Sequence, residues 1–294
     1  MALTGDEPLV AFERLRYRYR RDGRDGRDGR DGRGDAARSG ADAGVGAVHR
    51  GGGGSGSGSG SENGGIDAAE LSFPDFLLPA GAHLLLRGAS GSGKSTLLAL
   101  MAGLLTPSAG RLAMGGVEVG ALAPAARDAW RGANLGFMPQ RLHLSPSLSV
   151  RDNLSLPFVA AGLAPDRARI EAVLDELGIG ALIERRPHAL SQGQAQRVAL
   201  ARALLRAPRF VLADEPTANL DDDACEATLA LLRRVADQHG VCLVIASHDA
   251  RIEAAWADWP ALHRLRLAGR SAGTAASALD PASPAGKATN VSTA

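Results

Sequence analysis

The stretch Leu84-Leu85-Leu86-Arg87-Gly88-Ala89-Ser90-Gly91-Ser92-Gly93-Lys94-Ser95-Thr96 constrains this chain more than any other. A short apolar run feeds a glycine-rich turn, and an apolar run of helical length follows, so the order is strand, turn, helix. Gly88, Gly93, Lys94 and Ser95 fill the spacing G-x-x-x-x-G-K-[S/T]. Glycines let the backbone curl until successive N–H groups point inward, which suits phosphate oxygens. Through Ala89, Ser90, Gly91 and Ser92 that curl is continuous, and the helix carrying Thr96 turns its positive dipole end to the same anion. Lys94 reaches β- and γ-phosphates, and the Ser95 hydroxyl suits Mg²⁺. Residues 88–96 are therefore the expected binding loop for a nucleoside triphosphate.

Composition excludes several alternatives. The net charge is +1, from 33 basic and 32 acidic residues, so no general attraction to nucleic acid or anionic lipid follows. The two cysteines, Cys225 and Cys242, fit no metal or redox spacing and suit a reducing compartment. The first residues, with Asp6 and Glu7, lack the basic-then-apolar layout of a secretory signal. No apolar run approaches the roughly 20 residues that span a bilayer. The expectation is a soluble, cytosolic protein whose membrane role, if any, needs a partner.

Along the chain, residues 9–20 end in strict alternation, with Arg14, Arg16, Arg18 and Arg20 opposite Leu15, Tyr17 and Tyr19. Period two means a strand with one wet face, and the arginines suggest an edge strand protected against aggregation. Arg-Asp-Gly then occurs four times from Arg21 to Gly32, and Gly51 to Gly60 is only glycine and serine. With so little apolar mass, 21–65 is expected to be a disordered insertion in a surface loop, interrupting one domain. Structure resumes with a strand region over Leu71–Leu78, the strand His83–Arg87 and the helix Lys94–Ala102. A hairpin around Gly115-Gly116, a short helix from Ala123 and a strand Asn134–Met138 follow. From about 141 to 190 the pattern is helical; Ile170, Val173, Leu174 and Leu177 lie at i, i+3, i+4, i+7. A helix after Ser191, the strand Phe210–Ala213, a helix Asp222–His239 and the strand Val241–Ala246 complete an α/β pattern with a mostly parallel sheet. Ligands of such sheets collect at the strands' carboxyl ends, where Gly88, Gln140, Asp214 and His248 lie. The tail, 269–294, is small and polar and expected to be disordered.

A second constellation accompanies the loop. Phe210-Val211-Leu212-Ala213-Asp214 is an apolar strand delivering a carboxylate, suited to a metal's water shell, and Glu215 beside it suits a general base. In Leu190-Ser191-Gln192-Gly193-Gln194, Ser191 and Gln194 form a capping box at a helix start. That accounts for two residues but not for Gly193. Here the sequence resembles the ATP-binding subunits of ABC transporters, over Leu9–Arg20 and from Ile66 to about Leu267. The phosphate loop is Gly88–Ser95, Gln140 occupies the Q-loop, and Leu190–Gln194 matches the signature LSGGQ with Gln192 replacing its first glycine. Asp214 matches Walker B, Glu215 the catalytic glutamate, Asn219–Asp221 the D-loop, and His248 the switch histidine. Short stretches around Leu135–Gln140, Arg151–Pro157 and Ala213–Asp221 look most like the lipoprotein-release and macrolide-efflux group, to which a cell-division ATPase is related.

The resemblance implies a P-loop NTPase of ABC type, with a mostly parallel sheet core, an antiparallel β region and an inserted helical subdomain. The single ATPase domain would cover 1–268. Implied cofactors are ATP and Mg²⁺, with Ser95, Gln140 and Asp214 organising the metal. Glu215, His248 and Gln140 are the implied catalytic residues, and Tyr19, with Tyr17 as alternative, would stack on adenine. The family pattern further implies a head-to-tail homodimer in which each ATP lies between one phosphate loop and the partner's Ser191, Gly193, Gln194 and Asp221. A transmembrane permease is the implied partner, with the chain peripheral on the cytoplasmic face and no nucleic acid involved. The alternative is a regulatory ATPase signalling to a membrane partner without transport, as in the cell-division relative. Deleting 22–64 with a short bridging turn is expected to leave ATP turnover largely intact, because loop-closure entropy changes by only about 0.6 kcal/mol per doubling of length. Unfolding or lost nucleotide binding in a melt and a titration of the deleted protein would show the insertion to be structural.

Overall fold

The computed structural model describes residues 8–19 and 70–268. The chain divides into two units, one of 1–18 with 70–294 and the other of 19–69, of which only Tyr19 is described. The expected insertion and tail lie outside the described residues.

Two sheets organise the first unit. Strand β1 (Val10–Arg18) pairs antiparallel with β2 (Glu70–Ser72), β3 (Phe76–Leu78) and β5 (Ala109–Met114), and β5 pairs with β6 (Val117–Glu118). The second sheet is parallel throughout, in the order β10-β4-β9-β8-β7. Its strands are β4 (His83–Arg87), β7 (Leu135–Met138), β8 (Phe210–Asp214), β9 (Cys242–Ser247) and β10 (Leu262–Arg266).

The inner parallel strands β4, β9 and β8 read as nearly continuous apolar runs because both faces are covered. Leu84, Leu86, Phe210, Leu212 and Val244 face one cluster, while Leu85, Val211, Leu243 and Ile245 face the other. In the first cluster, helix α1 (Lys94–Met101) buries Leu97, Leu98, Leu100 and Met101 between the two sheets, against Phe12, Leu15 and Phe76. Each such buried side chain contributes about 1.5–3 kcal/mol relative to exposure. That burial fixes the helix whose first turn carries Lys94 and Ser95.

The second cluster joins the parallel sheet to α5 (Gln192–Leu204), α6 (Asp222–His239) and the helical stretch 141–190. That stretch contains α3 (Val150–Ala160) and α4 (Arg167–Glu176), whose Val150, Leu154, Ile170, Val173 and Leu174 are fully buried. Helix α4 begins on Asp166, whose side chain accepts from Arg169 N, and Gly178 beyond it has φ 67°. Helix α5 lies directly on β7: a Cβ at Gly136 would stand 2.3 Å from the Ala203 carbonyl oxygen, so only glycine permits the approach. Short helices α2 (Pro124–Asn134) and α7 (Ala250–Ala255) precede β7 and β10.

Three expectations are corrected. Strand β1 is not an edge strand; it is paired on both sides, and its wet arginine face comes from the sheet's exposed surface. Glu13 and Arg14 are both exposed at a bulge, Arg14 at φ 47°, so the extra residue returns Leu15 to the buried face already holding Val10 and Phe12. The strand region 71–78 is two strands, broken at Phe73-Pro74-Asp75, where the Asp75 carboxylate accepts the Arg14 amide of the bulge. Strand β9 begins one residue later and ends one later than expected, at Ser247. Helix α7 and strand β10, which the sequence reading did not assign, close the sheet on the far side of β4.

Candidate active site

The phosphate-type loop leaves β4 at Gly88 and enters α1 at Gly93, with Gly91 at φ 78° and Gly93 at φ 96°. The curl is tight: a Cβ at Gly88 would meet Ser92 Oγ at 2.4 Å and the Leu267 carbonyl at 2.9 Å. Lys94 is buried, and its ammonium donates to the carbonyls of Gly88 at 2.8 Å and Ala89 at 3.3 Å. The same nitrogen lies 3.7 Å from Glu215 Oε1. Two strand ends thus meet at one cation.

Glu215 is held from three directions. Its Oε2 accepts from the buried Ser247 hydroxyl at 2.7 Å and from the His248 amide at 3.4 Å, while Oε1 pairs with His248 Nδ1 at 2.8 Å. Its backbone sits at φ 50°, a conformation non-glycine residues rarely adopt, and its amide donates to the Ala246 carbonyl. Thr217, fully buried, donates to Asp249 Oδ2 at 2.9 Å, and Arg251 bonds to both Asp249 oxygens. Those Arg251 bonds hold the Asp249 carboxyl down at about 2. The turn after β8 and the turn after β9 are one hydrogen-bonded unit.

Asp214 ends β8 as expected. Burial pushes its carboxyl above the ordinary carboxylate range, opposed by a hydrogen bond from Ser95 and by the Lys94 charge. Its Oδ1 is buried without a hydrogen-bond partner. A buried carboxylate oxygen with no donor, next to a serine hydroxyl, fits a hard divalent cation that takes oxygen ligands and retains water. Among the described residues no group of three His, Cys, Asp or Glu is placed to hold a metal ion. Gln140, two residues past β7, lines the same cavity as Asp214 and Glu215.

The helix start at Ser191 has the reciprocal capping box. Ser191 Oγ accepts from Gln194 N at 3.2 Å, and Gln194 Oε1 accepts from Ser191 N at 2.9 Å. The box uses those two amides, and the amides of Gln192 and Gly193, in the first turn, have no partner among the described residues. Nothing lies within 4 Å of a Cβ built on Gly193. The side-chain bond from this helix start runs to the Ala218 carbonyl, through Gln192 Nε2 at 3.0 Å. The Asp221 carboxylate caps α6 by accepting from Ala224 N at 2.8 Å. Tyr17 packs partly buried on the core beside β2, and Tyr19, just past β1, is exposed.

Lys94, Ser95, Asp214, Glu215, His248 and Gln140 are thus gathered at one rim. Ser191, Gly193 and Gln194 lie together at the start of α5, with open space at Gly193. Sequence reading missed Ser247, whose only local signal is a hydroxyl ending an otherwise apolar strand, and it missed Gln196, which is buried in the cavity beside Asp214.

Over residues 71–218 the sequence matches the family described as ABC transporter. It is 45% identical over 181 residues to the lipoprotein-releasing system ATP-binding protein LolD of Anaeromyxobacter dehalogenans, covering 60% of this chain and 76% of that one. It is 38% identical to the macrolide export ATP-binding/permease protein MacB of Rhodopirellula baltica, covering 60% of this chain but only 26% of that much longer relative. Among solved structures, a dimeric bacterial ABC transporter cassette aligns with TM-score 0.62 at 21% identity, covering 88% of this chain and 94% of the other. A component of a Clostridium perfringens ABC transporter complex aligns with TM-score 0.62 at 24% identity, covering 89% and 87%. These structural likenesses concern the fold. No helix among the described residues is long and apolar enough to cross a membrane.

Proposed function

The chain belongs to the ABC transporter family, and from that premise we propose that it is the ATP-binding and ATP-hydrolysing subunit that powers a transporter through a separate membrane permease. The observation that carries the proposal is Glu215, fixed by Ser247 and His248 and 3.7 Å from the phosphate-loop lysine. A carboxylate so held, beside the lysine that would meet the terminal phosphate, suits a base for an attacking water.

In this reading Lys94 gives its charge to the β- and γ-phosphates, and the curled amides of 88–93 bind the remaining oxygens. Ser95, Asp214 and Gln140 would hold Mg²⁺, which when bound would neutralise phosphate charge. Glu215 orients the water and accepts its proton, and His248, hydrogen-bonded to Glu215, faces the γ-phosphate. The work is positioning and charge stabilisation. The first-turn amides of Gln192 and Gly193, with open space at Gly193, suit the γ-phosphate of a nucleotide held by a second copy, which makes the active form a head-to-tail homodimer. Tyr19 stacks on adenine, with Tyr17 as the nearest alternative. The single ATPase domain carries its helical subdomain at 141–190, directly after Gln140, so γ-phosphate status reaches the permease through that junction. The chain works at the cytoplasmic face of the membrane.

Copy-number-matched purification of the tagged chain from membranes tests this reading. One polytopic membrane protein should co-purify in stoichiometric amount, and the pair should turn over ATP faster in vesicles than the chain alone. Steady ATP turnover with no membrane protein retained at any detergent concentration would refute the permease link.

A further inference from the structure

The face of α5 that meets the catalytic turn carries Gln192 and Gln196, one helical turn apart. Both line a cavity of about 50 Å³ together with Met138, Gln140, Asp214 and Glu215. At the rim Gln192 reaches the Ala218 carbonyl directly. Deeper, Gln196 is only 6% exposed, and its Oε1 is buried with no hydrogen-bond partner. Asp214 is 8% exposed and its Oδ1 is in the same condition.

Neither oxygen can satisfy the other. An amide oxygen and a carboxylate oxygen are both acceptors, and buried acceptors left unmatched carry their full desolvation cost. A donor held between the two would serve both. A water molecule has two O–H donors, and the cavity exceeds the roughly 10–15 Å³ that one water requires. We propose that Gln196 is a positioning residue for Asp214, acting through water held between Gln196 Oε1 and Asp214 Oδ1. The water fixes the rotation of the carboxylate and stands beside Oδ1 where it would join the water shell that such a cation retains, and it ties α5 to the nucleotide site of its own chain. This inference rests on the reading of Asp214 as a metal-holding carboxylate. It also explains a glutamine in a helix whose neighbours Val198, Ala199 and Leu200 are core.

The test is Gln196→Met, which keeps an unbranched side chain of similar length and removes the acceptor. Binding of a fluorescent ATP analogue is titrated with Mg²⁺ and, separately, in EDTA, alongside turnover and a thermal melt. The Mg²⁺ concentration for half-saturation should rise about tenfold, the loss typical when a residue orienting a metal ligand is removed. Affinity in EDTA should stay within about twofold, since the phosphate loop is untouched. An unaltered Mg²⁺ requirement in a folded variant overturns the proposal. Asp214→Asn runs in parallel: if it too leaves the Mg²⁺ requirement unaltered, the metal reading of Asp214 falls and this inference with it. A weakened Asp214→Asn beside an unaltered Gln196→Met overturns this inference alone. Should the methionine variant fail to fold, a high-resolution crystal structure of the unmodified chain decides. A water within about 2.7–3.2 Å of both oxygens supports the proposal, and its absence from a well-ordered cavity overturns it.

Discussion

Lys94→Ala abolishes ATP turnover and lowers nucleotide affinity by a factor of about 100 or more, the equivalent of losing one or two hydrogen bonds to a charged group. The reason lies in what the ammonium touches. It is 7% exposed, bonds the carbonyls of Gly88 and Ala89, and lies 3.7 Å from Glu215. Alanine removes the charge that phosphate would meet, and it also leaves the Glu215 carboxylate, 9% exposed, without its nearest cation. Both changes work against a triphosphate, the first by lost attraction and the second by added repulsion. The sheet and α1 remain, because Leu97, Leu98, Leu100 and Met101 anchor the helix independently of Lys94. A titration with a fluorescent ATP analogue on a variant with an unchanged melt isolates the effect. Wild-type affinity and turnover would remove the phosphate loop from the account.

Much of this site is legible in the sequence because each part is built from adjacent residues. The turn at Gly88–Gly93 needs positive φ at Gly91 and Gly93, and glycine there is visible without any fold. The acidic pair Asp214-Glu215 ends a run whose burial is complete over Phe210–Asp214, and the capping box from Ser191 to Gln194 is a pattern four residues long. What was not legible depends on contacts between distant stretches. β1 looks like an edge strand because its arginines alternate, yet its place between β5 and the β2–β3 pair is decided by residues more than fifty positions away. The bulge at Glu13–Arg14 requires Gly110 opposite, where a Cβ would come within 2.2 Å of the Arg14 carbonyl oxygen. Strand β10, Leu-His-Arg-Leu-Arg, carries too many polar groups to read as a sheet member until β4 is beside it. Ser247 and Gln196 matter only because β9 lies next to β8 and because α5 docks on Gly136.

Glu215→Gln is the second large effect. The amide keeps the size and can still bond to the Ser247 hydroxyl, so the turn at φ 50° stays in place. It cannot accept a proton from water, and hydrolysis should fall by the roughly 10²–10⁴ that a positioned base contributes. ATP should bind at least as well as in the unmodified chain. Lys94, Ser95 and Asp214 are unchanged, and an anion 3.7 Å from Lys94 Nζ has gone. Loss of binding together with loss of turnover would mean that Glu215 supports the loop and not the reaction.

The central claim is that ATP itself joins two copies, with the γ-phosphate between one copy's phosphate loop and the first-turn amides at the other copy's Ser191–Gln194 helix start. Multi-angle light scattering on the Glu215→Gln protein tests it most directly. Because the nucleotide stays uncleaved, the variant should run as a monomer without nucleotide and as a dimer in Mg-ATP, and adding Ser191→Arg should return it to monomer by filling the open approach to the helix. A Glu215→Gln protein that binds ATP yet stays monomeric at saturating Mg-ATP and the highest attainable protein concentration would contradict the account.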